Sequence, residues 1–365
     1  MIYIPIMKNR SAEIKASSIL SERFGNSIIP YYEIIKDYYE TQDALDENGD
    51  PIYVIKEGNT RRTRIKKEKT PSDICTLERI HNAISGKQAF VEFFRFADDE
   101  YGKTYDISKV ELARNISYDY NEYTRRVVKT CDFDSFVPVI SIKKGFAISF
   151  YDLERLIADI RNKGKAIAIR IQIELFDVYK EQLIHHLTSR DYLFVDLRET
   201  PFISQELLLQ EILDYRMECK KLVFQSPRPR TLAKREYQSD AWEPLIDNSI
   251  ATESIALGYD GFGDYAGMKD ALPELGGRGT VILALIYDRK KNQFWSVKSE
   301  KESDGATVKR LILKHKDEFD LSSGDLVERE INRIKSGNQC NWNTITIVRY
   351  VDQIYRRTEY SDMGY

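Results

Sequence analysis

Charged side chains recur in this sequence at the downstream ends of short apolar runs. They are Lys8 and Arg10; Glu33; Glu92 and Arg95; Lys143 and Lys144; Arg170, with Gln172; Asp196 and Arg198; Arg228, after Ser226; and Asp260 and Asp264. Arginine presents a planar fork of donors suited to phosphate or carboxylate, and its charge is not titrated away. Several such groups around one mouth favour an anionic ligand, with Arg95, Arg170 and Arg228 holding it. Glu33, Asp196 and Asp264 are the candidate general bases or metal ligands if the bound anion is also hydrolysed. A carboxylate-held Mg²⁺ is compatible with Glu33, Asp196, Asp260 or Asp264, but no spacing demands one. The bland alternative is that these acids and bases merely satisfy one another inside the fold.

Histidine adds little. His81, His185, His186 and His315 all fall in helical segments away from those ends, which disfavours a Ser–His or Cys–His nucleophile and a histidine-held zinc. The cysteines, Cys75, Cys131, Cys219 and Cys340, are widely spread with no CxxC, as in a reduced cytoplasmic protein with inert thiols.

The sharpest local feature is Gly258–Gly279, which holds seven of the 18 glycines. Glycine permits positive φ and close ligand approach, and successive free N–H groups can form an anion nest. Gly261, Gly263 and Tyr265 are therefore candidate ligand contacts; turns joining two parts of the fold are the competing explanation. The pattern is neither a GxGxxG opening a helix after the first strand nor GxxxxGK[ST], so no dinucleotide or Walker site is implied.

These residues need a scaffold. Ile2–Met7, Ile28–Ile34, Gln88–Phe96, Phe136–Ile142, Lys165–Ile171, Asp191–Leu197, Lys221–Ser226 and Ser254–Asp260 read as strands. Helical spacing marks Ser11–Arg23, Leu77–Ser85, Ile107–Lys129, Phe150–Asn162, Asp177–Leu187 and Ser204–Lys220, with an irregular helical stretch near Thr231–Ile246. Strands alternating with helices argue for parallel pairing, because each return needs a crossover. Eight units in about 260 residues predict an α/β fold of the (β/α)8, TIM-like barrel type; an open doubly wound sheet is the competing arrangement. In either, ligands sit at the carboxyl ends of the strands, where the charged residues fall.

Two segments depart from the rhythm. Residues 43–71 read as a hairpin insertion after the second strand, with seven basic and two acidic residues over Lys56–Lys69. Its Arg61, Arg62, Arg64, Lys66 and Lys67 suit contact with nucleic acid or a partner protein; a solvated face is the plain alternative. Past the eighth strand come a further hairpin, around Arg289–Asn292, and a mixed helical tail. The expected division is thus a barrel over residues 1–265 and an α+β cap over 266–365.

Composition bounds the function classes. With 365 residues, 42% hydrophobic and 12% aromatic, the chain can bury a sizeable core. A net charge of −3 argues against a globally basic nucleic-acid binder. Lys8 and Arg10 break the apolar start, so no signal peptide is expected, and Val281–Ile286 is too short to span a bilayer.

Several segments carry a resemblance. The opening through Tyr3, Pro5, Lys8 and Glu13, the Pro30–Glu33 strand, Gly261–Gly267 (GFGDYAG), Trp295, Gly324–Asp325, and Gly337 with Trp342 together resemble the phage-type "beta protein" family. Where relatives often carry histidine near the end, this chain has Arg349 and Tyr350. The family is similar to barrel proteins encoded in mobile elements and anti-phage loci. The resemblance implies a defence component acting as sensor, effector or partner subunit. The leading expectation is a defence-associated barrel whose mouth binds a nucleotide, a nucleic-acid end or a phosphorylated signal. Its rivals are a non-catalytic scaffold that binds a partner through the hairpin or the cap, and a hydrolase unrelated to defence.

Overall fold

Short apolar runs buried on both faces, each followed by a helical segment, close here into a ring. The computed structural model describes residues 1–55, 62–102, 105–275, 281–302, 304–319, 321, 325–335 and 337–361. Among them are thirteen strands: β1 (Ile2–Lys8), β2 (Tyr31–Ile34), β3 (Tyr53–Ile55), β4 (Arg62–Arg64), β5 (Ala89–Phe93), β6 (Phe136–Ile142), β7 (Ala168–Gln172), β8 (Tyr192–Asp196), β9 (Lys220–Phe224), β10 (Ala241–Glu243), β11 (Gly261–Asp264), β12 (Val281–Asp288) and β13 (Gln293–Glu302). The helices are α1 (Ser11–Leu20), α2 (Thr76–Ala83), α3 (Glu111–Tyr118), α4 (Tyr120–Lys129), α5 (Phe150–Asn162), α6 (Phe176–His186), α7 (Glu206–Asp214), α8 (Ile250–Leu257), α9 (Gly305–Lys314), α10 (Leu326–Arg333) and α11 (Gln339–Ser361).

Eight strands form a closed barrel in the order β1-β11-β9-β8-β7-β6-β5-β2, every pair parallel. The fold is a (β/α)8 barrel with a hairpin insertion, β3–β4, and a C-terminal α+β cap. Its interior is filled by Ile4, Ile6, Tyr31, Phe90, Val137, Val139, Ala168, Phe194, Leu222 and Phe224. Because side chains alternate faces, a residue two positions beyond an interior one also points inward. Lys8 follows Ile6 by two, Glu33 follows Tyr31, Glu92 follows Phe90, Arg170 follows Ala168 and Asp196 follows Phe194. Period and register together thus place these charges in one layer at the carboxyl end, with Lys8 opposite Glu33 and Glu33 opposite Glu92.

Local differences from the sequence reading have physical causes. Ser254–Asp260 is not the eighth strand: Ser254 lies within α8, which stops at Gly258 with φ +111. The closing strand is β11, and its glycines disguise it, since glycine has low strand preference. A Cβ on Gly261 would lie 1.9 Å from the Ile2 carbonyl oxygen, and one on Gly263 would lie 2.5 Å from the Phe224 ring. Only glycine lets β11 fit between β1 and β9. Ile107–Lys129 is two helices rather than one, because the Asp119 carboxylate accepts from the Glu122 N–H at 2.9 Å and starts α4 afresh. The stretch near Thr231–Ile246 holds a single helical turn and then β10, which pairs with β13 in the cap sheet.

In the cap, the order β10-β13-β12 is covered by α11, which also packs on α1 of the barrel. Its β-branched run Thr344–Val348 is helical because that face is buried, with Ile345, Ile347, Val348 and Val351 at 0–1% exposure. Barrel shell and cap share one apolar core. Among the described residues, no helix is long and apolar enough to cross a membrane.

Candidate functional site

Arg170, carried by β7, sits at the centre of the barrel mouth and is 3% exposed. Its Nε donates to Asp196 Oδ2 at 2.8 Å. Its Nη1 donates to Glu33 Oε1 at 2.7 Å and to Glu92 Oε2 at 2.9 Å. Its Nη2 reaches the Tyr265 hydroxyl at 3.3 Å, and that hydroxyl donates to Glu33 Oε1 at 2.7 Å. Lys8 bonds Glu33 and, at 2.8 Å, Asp270, which also pairs with Arg198 at 2.9 Å. Glu33, Asp196, Arg170 and Tyr265 are therefore brought together as expected of one site. The arginine, however, is committed on every nitrogen to residues of the chain, so its geometry is that of a counter-ion rather than of an open anion clamp.

The electrostatics agree. Burial alone would raise the Glu33 carboxyl, but Lys8 and Arg170 outweigh it and hold it below the usual carboxylate range. Asp270 is likewise held low by Lys8, Arg198 and Arg230 against its burial. Four carboxylates, Glu33, Glu92, Asp196 and Asp270, face three cations, Lys8, Arg170 and Arg198. Burial of so many charges is tolerated only because they pair. The acids are arranged around guanidinium and ammonium groups, and among the described residues no cluster of three or more His, Cys, Asp or Glu side chains could hold a metal.

Other expected residues lie elsewhere. Asp264 faces the cap, accepting from the Tyr3 hydroxyl at 2.8 Å, the Tyr350 hydroxyl at 2.6 Å and the Ala266 N–H at 2.8 Å. Burial pushes its carboxyl up to about 6 despite those bonds. Arg95 donates to the Ser141 carbonyl at 2.8 Å and lies 3.8 Å from the Tyr123 ring centroid, so it braces β6 against α4. Gly261 and Gly263 serve the strand packing described above. On the hairpin, Arg64 and Lys66 pair with Asp43 at 2.8 and 2.6 Å, while Arg62 and Lys67 are exposed. Arg61 and Lys56 lie outside the described residues, as do Gly276, Gly277, Gly279 and Gly324.

Arg228 behaves differently from Arg170. It follows β9, is 8% exposed, and donates to the Tyr237 hydroxyl at 2.5 Å and the Gly267 carbonyl at 3.1 Å. Lys269, in the segment after β11, donates to the carbonyls of Arg230 and Leu232. Lys234 donates to the Gln339 side-chain oxygen at 2.9 Å. Among the described residues none of these three cations forms an ion pair with a carboxylate. They line one cleft of about 570 Å³, together with Arg10 and Arg235, with Glu274 the one acid among its described wall residues. Its apolar side is Met268, Leu272, Leu283 and Leu285, the last two from the cap strand β12. Burial, opposed by acids such as Glu274 but aided by the nearby Arg228 charge, pushes the Lys269 ammonium down to about 8. Burial lowers Arg228 and Lys234 as well.

Lys234 and Lys269 escaped the sequence reading because neither ends an apolar run. The usable signal was position: Lys269 follows the eighth strand within the glycine-rich segment, where barrels often bind phosphate. A second cleft, of about 710 Å³, opens over the ends of β5 to β8 and shares no lining residue with the first.

A family model described as Beta protein matches residues 3–356, so the resemblance seen in Tyr3, Lys8, Glu33 and Gly261–Gly267 extends over nearly the whole chain. No curated protein matches. Among solved structures, a xylose isomerase-like TIM barrel/4-hydroxyphenylpyruvate dioxygenase fusion protein is similar over 79% of this chain, at 9% identity and a TM-score of 0.35. The chain spans 49% of that protein's length.

Proposed function

This chain belongs to the Beta protein family, and we propose that it is a defence-associated barrel protein that binds an anionic ligand in the cleft between barrel and cap. The ligand class that fits is a phosphorylated molecule with an apolar or aromatic body, such as a nucleotide. One observation supports the proposal: Arg228 and Lys269 are partly or fully buried in the same cleft and, among the described residues, donate hydrogen bonds only to neutral oxygens. Buried like charges without counter-ions are costly, and an incoming anion relieves that cost. The apolar wall of Met268, Leu272, Leu283 and Leu285 suits a base or ring, and the cap strand β12 that supplies part of it would register occupancy. The defence context rests on the family resemblance alone.

Thermal unfolding with ATP, cyclic nucleotides and inorganic phosphate at low salt tests this. Stabilisation should follow ligand concentration, need at least tenfold more ligand in Lys269→Gln and be unchanged in Lys144→Gln. If no nucleotide or phosphate shifts the midpoint, the cleft is not an anion site.

The hairpin offers a second surface. Ile52, Tyr53, Val54 and Ile55 are 37–57% exposed beside Arg62, Arg64 and Lys66. Such a basic apolar strip suits a partner protein with an acidic rim. Deleting residues 52–67 should abolish capture of that partner while leaving nucleotide-induced stabilisation intact; loss of nucleic-acid binding instead would assign the strip to nucleic acid.

A further inference from the structure

The second cleft holds a lysine in an unusual position. Lys143 directly follows β6 and is 6% exposed, yet its Nζ makes no hydrogen bond among the described residues. Its nearest carboxylate oxygen is Glu100 Oε2 at 3.8 Å, because Glu100 turns its other oxygen to Arg198. The Nζ lies 4.2 Å from the Phe94 ring centroid and 5.6 Å from that of Phe146. Around it, the cleft of about 710 Å³ is lined by Lys144, Gln172, Arg198, Thr200 and Arg230 among others. Among the described residues, Lys8, Arg170 and Arg198 are hydrogen-bonded to carboxylates, whereas Lys143 has only the longer ion pair with Glu100 and lines the open cleft beside aromatic rings.

We propose that Lys143 is a carbonyl-reactive amine that forms a Schiff base with a small aldehyde or ketone bearing a carboxylate, which Lys144 at the rim would meet. The nitrogen lone pair attacks the carbonyl carbon, forming the C–N bond as the C=O π pair moves to oxygen. One amine proton passes to that oxygen through Glu100 Oε2, giving a carbinolamine. The hydroxyl then leaves as water with the second amine proton, and C=N results; no oxidant or reductant is consumed. A desolvated lysine is the form suited to this chemistry. Burial pushes the Lys143 ammonium down to about 8, helped by Arg198 and Arg170 and opposed by Glu100 and Glu92. At that value roughly a tenth of it is the neutral amine at pH 7. This site is separate from the cleft of Arg228 and Lys269, and either can fail alone.

Reductive trapping tests the proposal on the full chain. Glyoxylate with cyanoborohydride, which supplies the hydride that reduces the imine, is followed by peptide mass mapping. Lys143 should carry the carboxymethyl adduct at about tenfold the occupancy of Lys144 or more, because desolvation favours the free amine. Glu100→Gln should slow adduct formation at Lys143 several-fold without changing that at Lys144. Lys144→Gln should slow trapping of glyoxylate but not of propionaldehyde. Labelling spread over exposed lysines with Lys143 no faster than Lys144 would overturn the assignment, and since that map needs only the wild-type chain, a variant that fails to fold does not shield it. Equal rates for glyoxylate and propionaldehyde in the wild type would overturn the carboxylate preference.

Discussion

Arg170 and Arg228 are both buried arginines at or just beyond the carboxyl ends of strands in one barrel, yet they are different devices. Arg170 meets three carboxylates and a tyrosine hydroxyl. Arg228 meets a tyrosine hydroxyl and a backbone carbonyl. The first is charge balance inside the fold; the second is a buried positive charge whose hydrogen-bond partners among the described residues are neutral oxygens. A count of basic residues around a mouth therefore says little about anion binding until their partners are known. Asp264 is the acidic counterpart of Arg228: a buried charge with neutral partners, displaced toward its uncharged form.

The largest effect expected of this contrast is on stability. Arg170→Ala strands Glu33, Glu92 and Asp196 without their cation and should cost about 3–5 kcal/mol in denaturant unfolding. Arg228→Gln should cost clearly less, because no carboxylate is orphaned. The reverse order would break the comparison.

Next in size is a pH dependence of opposite sign at two places. The Asp264 carboxyl is raised to about 6 in the fold from an ordinary value near 4, so the folded chain binds that proton more tightly. Stability from this group is present below pH 4 and is lost as pH rises to 6, by about 3 kcal/mol. Asp264→Asn should remove that downward slope. Glu33 and Asp270 are held low, so their contribution is present above pH 4 and is lost as pH falls further. Unfolding free energies of wild type and Asp264→Asn between pH 3 and 7 separate the two.

A smaller effect falls on ligand binding. Arg228→Gln or Lys269→Gln should each weaken nucleotide binding by about 1.5–3 kcal/mol, the range of a charge-assisted hydrogen bond, as read by calorimetry. Added salt should weaken that binding too, while leaving the buried Arg170 cluster almost unmoved. The smallest response belongs to the hairpin: Arg64→Ala breaks an exposed pair with Asp43 and should leave the unfolding midpoint unchanged.

Much of the scaffold was legible because its signals are local. Short, nearly continuous apolar runs marked seven of the eight barrel strands, and turn residues marked the hairpin and the start of the cap. The eighth strand was not legible, since Gly261 and Gly263 are chosen by the closeness of Ile2 and Phe224 rather than by strand preference. Thr344–Val348 would read as a strand by its β-branched run, and burial against β12 and α1 makes it helix. Of the site, Glu33, Asp196, Arg170 and Arg228 stood out as ends of apolar runs. Lys269 and Lys234 did not, and neither the loose pairing of Lys143 nor the tight pairing of Arg170 had any local sign.

The amino-acid sequence alone determined the alternation of strand and helix, and the position of the charges at the downstream ends of the apolar runs. Both are local signals that short segments carry by themselves, whereas the face that lines the barrel was set by its closure. Which charges cancel was decided only when the ring closed. Arg170 reaches Glu33 across 137 positions and Tyr265 reaches it across 232, distances that parallel registry and barrel closure remove. Pairing energy falls with separation and rises with burial, so the paired cluster of Arg170, the neutral partners of Arg228 and the loose pairing of Lys143 are properties of the tertiary structure.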